Sequence, residues 1–190
     1  MRQSLRTAVL LFAIVTLLTG IAYPLAVTAV AQALFPRQAN GSLISIDRER
    51  MASELVGQPF SDPKYFWGRP SATAAVPYNG ASSAGSNLGP ANPALAEAVQ
   101  RRSAALLAAD RENSLPIPVD LVTASASGLD PHISPAAAIF QVPRVARTRG
   151  LDERMIARLV QMHTQDRQFS ILGEPRVNVL RLNIALDARR

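Results

Sequence analysis

The chain has 190 residues, 20 basic and 14 acidic, for a formal net charge of +6, and 48% of it is apolar. It has no Cys, which excludes disulfides, thiolate metal sites and a thiol nucleophile. Its only Lys is Lys64, which excludes a Walker A phosphate loop.

The first element is a long apolar helix. Arg6 and Arg37 bracket 30 residues without a charge, and 22 of the 28 residues from Ala8 to Phe35 are apolar. A helix of that length exceeds the ~30 Å hydrocarbon core of a bilayer, so it spans with tilt. Pro24 is placed to kink it. A cleavable secretory signal is the competing reading, with Ala31-Gln32-Ala33 as its cleavage site. The apolar run is roughly twice the ~7–15 residues of a signal core, so an uncleaved single-span anchor is favoured. Ala22, Ala26, Ala29 and Ala33 form a stripe of small residues that would admit a partner helix.

Arg2 and Arg6 precede the span, whereas beyond it Arg48 and Arg50 alternate with Asp47 and Glu49. The positive-inside rule then puts residues 1–6 in the cytoplasm, 7–36 in the inner membrane and 37–190 on the periplasmic or extracellular side.

The remainder reads as one mixed α+β domain with helices dominating. From Pro36 on it has 18 basic and 14 acidic residues, scattered and with few aromatics, which argues against nucleic acid. Short strands are expected near Leu43–Ile46 and Tyr65–Trp67, within a Pro- and Gly-rich irregular stretch over 57–93. Asn92-Pro93 starts a helix to Ala109, with Leu95, Val99, Leu106 and Leu107 on its apolar face. Val119–Thr123 reads as a strand. Ser134-Pro135 starts a helix over Ala136–Arg149, which Gly150 ends. Asp152 starts another through Gln165, with Ile156, Leu159 and Val160 facing the core. Residues 174–187 fit a helix through Val177, Leu180 and Ile184, or a strand through Val177 and Val179.

No catalytic constellation assembles. Ser61-Asp62-Pro63-Lys64 matches the Ser–Lys spacing but contains Pro63, and its companion motifs are missing. Ser86 in Gly85-Ser86-Asn87-Leu88-Gly89 is one place too early for a nucleophile elbow. His132 and His163 lack ligand-spaced partners, so no metal site is expected. His163 suits the C-terminal end of its helix. Arg144, Arg147 and Arg149 read as a solvated helix face, with pairing to acids or to a partner as the alternative.

The densest polar run is 123–135. Its Ser125, Ser127, Gly128, Asp130 and His132 lead into a helix start, which suits an anion or nucleotide phosphate. The same residues equally suit a turn that satisfies its own backbone.

Several ordered strings then point to a family. They include Leu34-Phe35-Pro36, Gln38-Ala39-Asn40-Gly41-Ser42-Leu43 and Gly57-Gln58-Pro59-Phe60. Tyr65-Phe66-Trp67-Gly68-Arg69-Pro70-Ser71-Ala72-Thr73, Tyr78-Asn79 and Gly85-Ser86-Asn87-Leu88 follow. The most distinctive is the run from Asp120 through Thr123-Ala124-Ser125-Ala126-Ser127-Gly128 to Asp130. Gln141-Val142-Pro143-Arg144-Val145-Ala146, Asn178-Val179 and Leu182-Asn183-Ile184-Ala185-Leu186-Asp187 complete the set. Almost end to end, the chain resembles the C subunit of the Kdp-type, ATP-driven potassium uptake complex of bacteria.

The resemblance implies a non-catalytic accessory subunit with no cofactor of its own. Its implied partners are a channel-like potassium-binding subunit and a P-type ATPase subunit, which carry the ion filter and the phosphorylated Asp. It also implies a role as a catalytic chaperone that raises the ATP affinity of the ATPase subunit. The Ser-Ala-Ser-Gly run has been likened to the nucleotide-contacting signature loop of ABC transporters. A cytoplasmic N-terminus would put that run on the side away from ATP, so its effect would be long-range. Under that topology the outer domain braces the channel-like subunit, using 57–93 and 123–135. An anchored periplasmic hydrolase and a direct nucleotide-binding module are the alternatives.

Overall fold

A computed structural model describes residues 2–46 and 51–189. Asp47, Arg48, Glu49 and Arg50, used above for the charge balance across the span, lie outside the described residues. The chain divides into two compact units, Met1–Ser45 and Ile46–Arg190.

The first unit is dominated by a helix over Arg2–Leu34, the one helix among the described residues long and apolar enough to cross a membrane. It consists of α1 (Arg2–Leu17), a π-helical turn over Leu18–Ala22, and α2 (Tyr23–Leu34). The π-turn sits where Pro24 requires it. Proline has no N–H and its ring crowds the carbonyl four residues back, that of Gly20. Widening the preceding turn relieves that crowding, and the Tyr23 N–H donates five residues back to the Leu18 carbonyl. A short α3 (Pro36–Ala39) and strand β1 (Leu43–Ser45) follow.

The second unit begins with β2 (Met51–Ser53) and a long irregular segment. Helix α4 (Pro93–Ala109) starts as expected, with the Asn92 side chain accepting from the Ala94 N–H. Its inner face is Leu95, Ala98, Val99 and Leu106. Leu107 is exposed, contrary to the expected face.

Two expected strands are absent. Val119–Leu121 is a 3₁₀ turn after Pro118, closed by the Thr123 N–H and hydroxyl, both donating to the Val119 carbonyl at 2.9 and 2.8 Å. Local bonding by Thr123 outcompetes a strand partner there. Tyr65–Trp67 is irregular, with a bend at Tyr65, and pairs with no strand. Buried side-chain amides replace the ladder: Asn183 accepts from the Phe66 N–H and donates to its carbonyl, each at 2.9 Å. Gln141 does the same for Trp67, at 2.7 and 3.1 Å. Phe66 itself is wholly buried.

The core packs under a three-stranded antiparallel sheet of order β3-β5-β4. Its strands are β3 (His132–Ile133), β4 (Thr164–Gln165) and β5 (Arg176–Asn178), with Ile133 and Thr164 both opposite Val177. Helix α5 (Pro135–Arg149) is capped by Ser134 and ended by Gly150 at φ +65°. Helix α6 (Glu153–His163) is capped by Asp152 and buries Ile156, Leu159 and Val160. The segment 174–187 is both of the expected things in turn: β5, then α7 (Val179–Asp187) capped by Asn178.

The three arginines of α5 differ: Arg144 is buried and Arg149 half-buried, whereas Arg147 is exposed. Arg144 is buried, stacks on Trp67 at 4.1 Å, and donates to the Pro63 and Tyr65 carbonyls and to Gln141. Burial pulls its guanidinium down to about 10, still charged at neutral pH. Arg147 pairs with Asp110 at 2.8 Å and Glu112 at 3.3 Å. Arg149 pairs with Asp187 at 2.8 Å and donates to the Lys64 carbonyl. Arg147 and Arg149 thus take the alternative, pairing with acids, and carbonyls of the irregular segment hold Arg144 and Arg149.

Candidate functional site

The run 123–130 and the irregular segment 57–85 are stitched together by hydrogen bonds. Gly57 donates to the Leu129 carbonyl at 2.9 Å, and Ala84 to that of Ser127 at 3.0 Å. The Ser83 hydroxyl also donates to Ser127, and the Ser71 hydroxyl to the Gly128 carbonyl at 2.7 Å. The Arg69 guanidinium reaches Asp130 at 3.3 Å and the Ala124 carbonyl at 3.3 Å.

Glycines make this closeness possible. A Cβ on Gly128, at φ +68°, would lie 2.5 Å from the Ala84 carbonyl oxygen. A Cβ on Gly57 would lie 2.3 Å from the Tyr78 ring. Tyr78 fills the centre of the seam, its N–H bonded to the Ser71 hydroxyl and its own hydroxyl donating to the Arg69 carbonyl at 2.6 Å. Burial first, and then the Asp130 charge, push that phenol up to about 12, so it remains a donor.

The five residues singled out in the run take different places. Ser125 is buried, and its N–H donates to the Pro70 carbonyl. The Ser127 hydroxyl accepts from the Leu129 N–H at 3.1 Å, closing a local turn. Gly128 is the left-handed turn residue. Asp130 accepts from the His132 N–H at 3.0 Å, and the His132 ring lies 3.4 Å from the same carboxylate. Burial pushes the Asp130 carboxyl up, but the His132 ring and N–H, with Arg69, outweigh it and hold it below the usual value.

Two hollows flank the seam. One of about 630 Å³ lies among Arg69, Asp120, Asp130, His132, Glu174 and Arg176, and Asp120 there accepts from the Ser134 N–H at 2.7 Å. The other, about 440 Å³, lies beside Ser125, Ser127 and Asp130. Both are mixed in charge rather than basic, and the run's N–H groups at Ser125 and Leu129 already have partners.

On the membrane helix, Ala26 lines a groove of about 390 Å³ between Tyr23 and Phe35, together with Val27, Val30 and Ala31. Ala29 and Ala33 lie on α2 outside that groove, and Ala22 falls in the π-turn. The motif residues dismissed above are also placed. Lys64 pairs with Asp62 at 3.2 Å and carries no link to Ser61.

Arg69, Ser71, Thr73 and Tyr78 hold the seam together, and reasoning from single motifs missed them. Their signal was the Ser71-Ala72-Thr73 spacing, which lets both hydroxyls serve the turn: Ser71 takes the Tyr78 N–H and Thr73 takes that of Asn79.

The fold and this seam define a class: a protein with an N-terminal helix long and apolar enough to span a membrane and an α+β domain whose polar cluster binds its own loops. The model of the family "K+-transporting ATPase, c chain" matches residues 5–188. A potassium-transporting ATPase KdpC subunit from Sorangium cellulosum is 63% identical over 190 residues, all of both chains. One from Dechloromonas aromatica is 61% identical, covering 99% of this chain and 98% of that one. Another, from Herpetosiphon aurantiacus, is 62% identical over 98% and 97%. The chain belongs to this family of potassium-transporting ATPase subunits.

Proposed function

We propose that the chain is a non-catalytic subunit that braces the channel-like, potassium-binding subunit of its transport ATPase. The N-terminal helix packs against that subunit in the membrane. The α+β domain stands on the periplasmic side and presents the seam between 57–85 and 123–130 to the channel entrance. Influence on ATP affinity of the P-type subunit is then long-range, through the state of the assembly that the brace favours.

One observation carries this reading. The Ser-Ala-Ser-Gly run spends its polar groups on its own loops, from Ser127–Leu129 to Gly128–Ser71, which suits a rigid contact surface better than a phosphate cradle.

Two measurements test it. Ser82 is exposed and the chain has no Cys, so Ser82→Cys is a single reporter. An impermeant maleimide is expected to label it in intact cells, and labelling only after lysis overturns the topology. Deleting residues 80–86 removes the Ser83 and Ala84 bonds to Ser127. Potassium uptake is expected to fall, and wild-type uptake with normal assembly overturns the brace. Saturable protection of the purified chain by ATP, lost in Ser127→Ala, would instead favour direct nucleotide contact.

A further inference from the structure

The connection between β4 and β5 is a tight turn with an apolar tip. Gln168 and Leu172 exchange both backbone hydrogen bonds, at 2.9 Å each. Phe169 and Ser170 both lie in the left-handed region, at φ +53° and +64°, which ordinarily favours Gly, Asn or Asp. Gly173 follows at φ +77°, and an ion pair of 2.6 Å between Arg167 and Glu174 closes the base. The tip holds Phe169, Ile171 and Leu172 out at 79, 74 and 56% exposure. Three large apolar side chains on a firmly closed turn form a patch that a freely solvated loop would not carry.

The same stretch continues into the larger hollow. Glu174 and Arg176, just past the tip, line the 630 Å³ groove together with Arg69, Asp120 and Asp130. Convex apolar tip and concave mixed-charge groove therefore adjoin along one strand entry.

We propose that this tip and groove form a docking surface for an extramembrane polypeptide loop of another subunit of the transport ATPase. This rests on membership in a family of ATPase subunits and not on the brace assigned to the 57–85 and 123–130 seam. Phe169 and Ile171 enter an apolar pocket of that loop, and its polar residues of both signs lie in the groove.

The observations favour a protein over a lipid surface. Headgroup surfaces attract basic rims, whereas Asp166, Arg167, Glu174 and Arg176 sum to zero around the tip. A bilayer is also flat, and the groove is concave with charges of both signs. A second copy of this chain is disfavoured by area. Three side chains fall well short of the roughly 800 Å² per partner that a stable dimer needs. A partner held in the same membrane assembly by the anchor needs less, because docking occurs at high effective concentration. The closed turn also loses little freedom on docking.

The test uses the purified, full transport complex with a photoreactive benzoyl-phenylalanine in place of Phe169. Gln161, exposed on α6, is the control position, and Ser82 in the seam is a third. Irradiation is expected to join position 169 to another subunit and to leave 161 unjoined. Adducts only to lipid, adducts to a second copy, or no adduct at 169 would each overturn the proposal. A subunit adduct at 169 without one at 82 keeps it and counts against the brace, and the reverse keeps the brace alone. The double variant Phe169→Ser, Ile171→Ser is expected to weaken retention of the adducted subunit about tenfold, as loss of an apolar anchor does. Unchanged retention would also overturn the proposal.

Discussion

The N-terminal helix and α5 place their side chains in opposite ways. Over Arg2–Leu34 large apolar residues such as Leu11, Phe12, Leu18 and Val30 are all exposed and none of the window is buried. In α5 the interior side includes Gln141 and Arg144, two of its most polar residues. The first helix is long and apolar enough to cross a membrane, and its continuous apolar run is by itself a sufficient signal in the sequence. The second buries polar groups because irregular chain lies against it, and that chain has backbone donors and acceptors needing partners. Burial of a polar side chain here reports a neighbour without secondary structure.

The sharpest way to break this contrast is to remove a buried amide. Asn183→Leu leaves the Phe66 N–H and carbonyl unpaired in the core, and is expected to cost about 3–4 kcal/mol. Urea unfolding of the detergent-solubilised chain, followed by fluorescence of its one Trp, measures it. A cost below about 1 kcal/mol would mean the irregular segment holds itself. Gly57→Ala is next, at about 2–3 kcal/mol, because its Cβ would overlap the Tyr78 ring and approach the Asp130 carbonyl oxygen at 2.9 Å. Combining it with Tyr78→Ala is expected to be less than additive, since the ring clash is gone. Tyr78→Phe alone removes the bond to Arg69 and is expected to cost about 1 kcal/mol.

Acid sharpens the same picture. The folded Asp130 carboxyl titrates below its unfolded value, so its contribution is present at neutral pH and is lost as pH falls through the folded value, below about 4. The stability difference between wild type and Asp130→Asn is therefore expected to shrink as pH falls below about 4. A difference that does not shrink below about pH 4 would contradict the pairing with His132 and Arg69. The smallest effect belongs to the membrane helix: Pro24→Ala is expected to leave the domain's unfolding midpoint unchanged, within about 0.5 kcal/mol.

Helices with side-chain caps were legible from sequence. Asn92, Ser134 and Asp152 each stand where an N-cap acts, and Gly150 where only a left-handed residue ends the helix. The turn and strand errors share a cause. Val119–Thr123 has strand composition, but Pro118 and the Thr123 hydroxyl settle it locally as a 3₁₀ turn. Tyr65–Trp67 also has strand composition, yet its partners are amides more than 70 residues away, which no local pattern announces. Arg144 was misplaced for the same reason, because the carbonyls that it and Arg149 serve, at Pro63, Lys64 and Tyr65, belong to a distant segment. At the site, the run 123–130 stood out by its hydroxyls, while Arg69 and Tyr78 did not, because their role exists only once the two segments meet.

The π-turn at Leu18–Ala22 adds one residue to a turn of the membrane helix. One extra residue rotates everything before it by about 100° relative to everything after it. Side chains of α1 and α2 that an unbroken α-helix would align are therefore offset, although all lie on one continuous rod. A neighbour that follows the Ala26 groove along α2 loses that face at Gly20 and meets a different one along α1. The extra residue thus decides which α1 side chains continue the Ala26 side of the helix, and deleting it would exchange them for others.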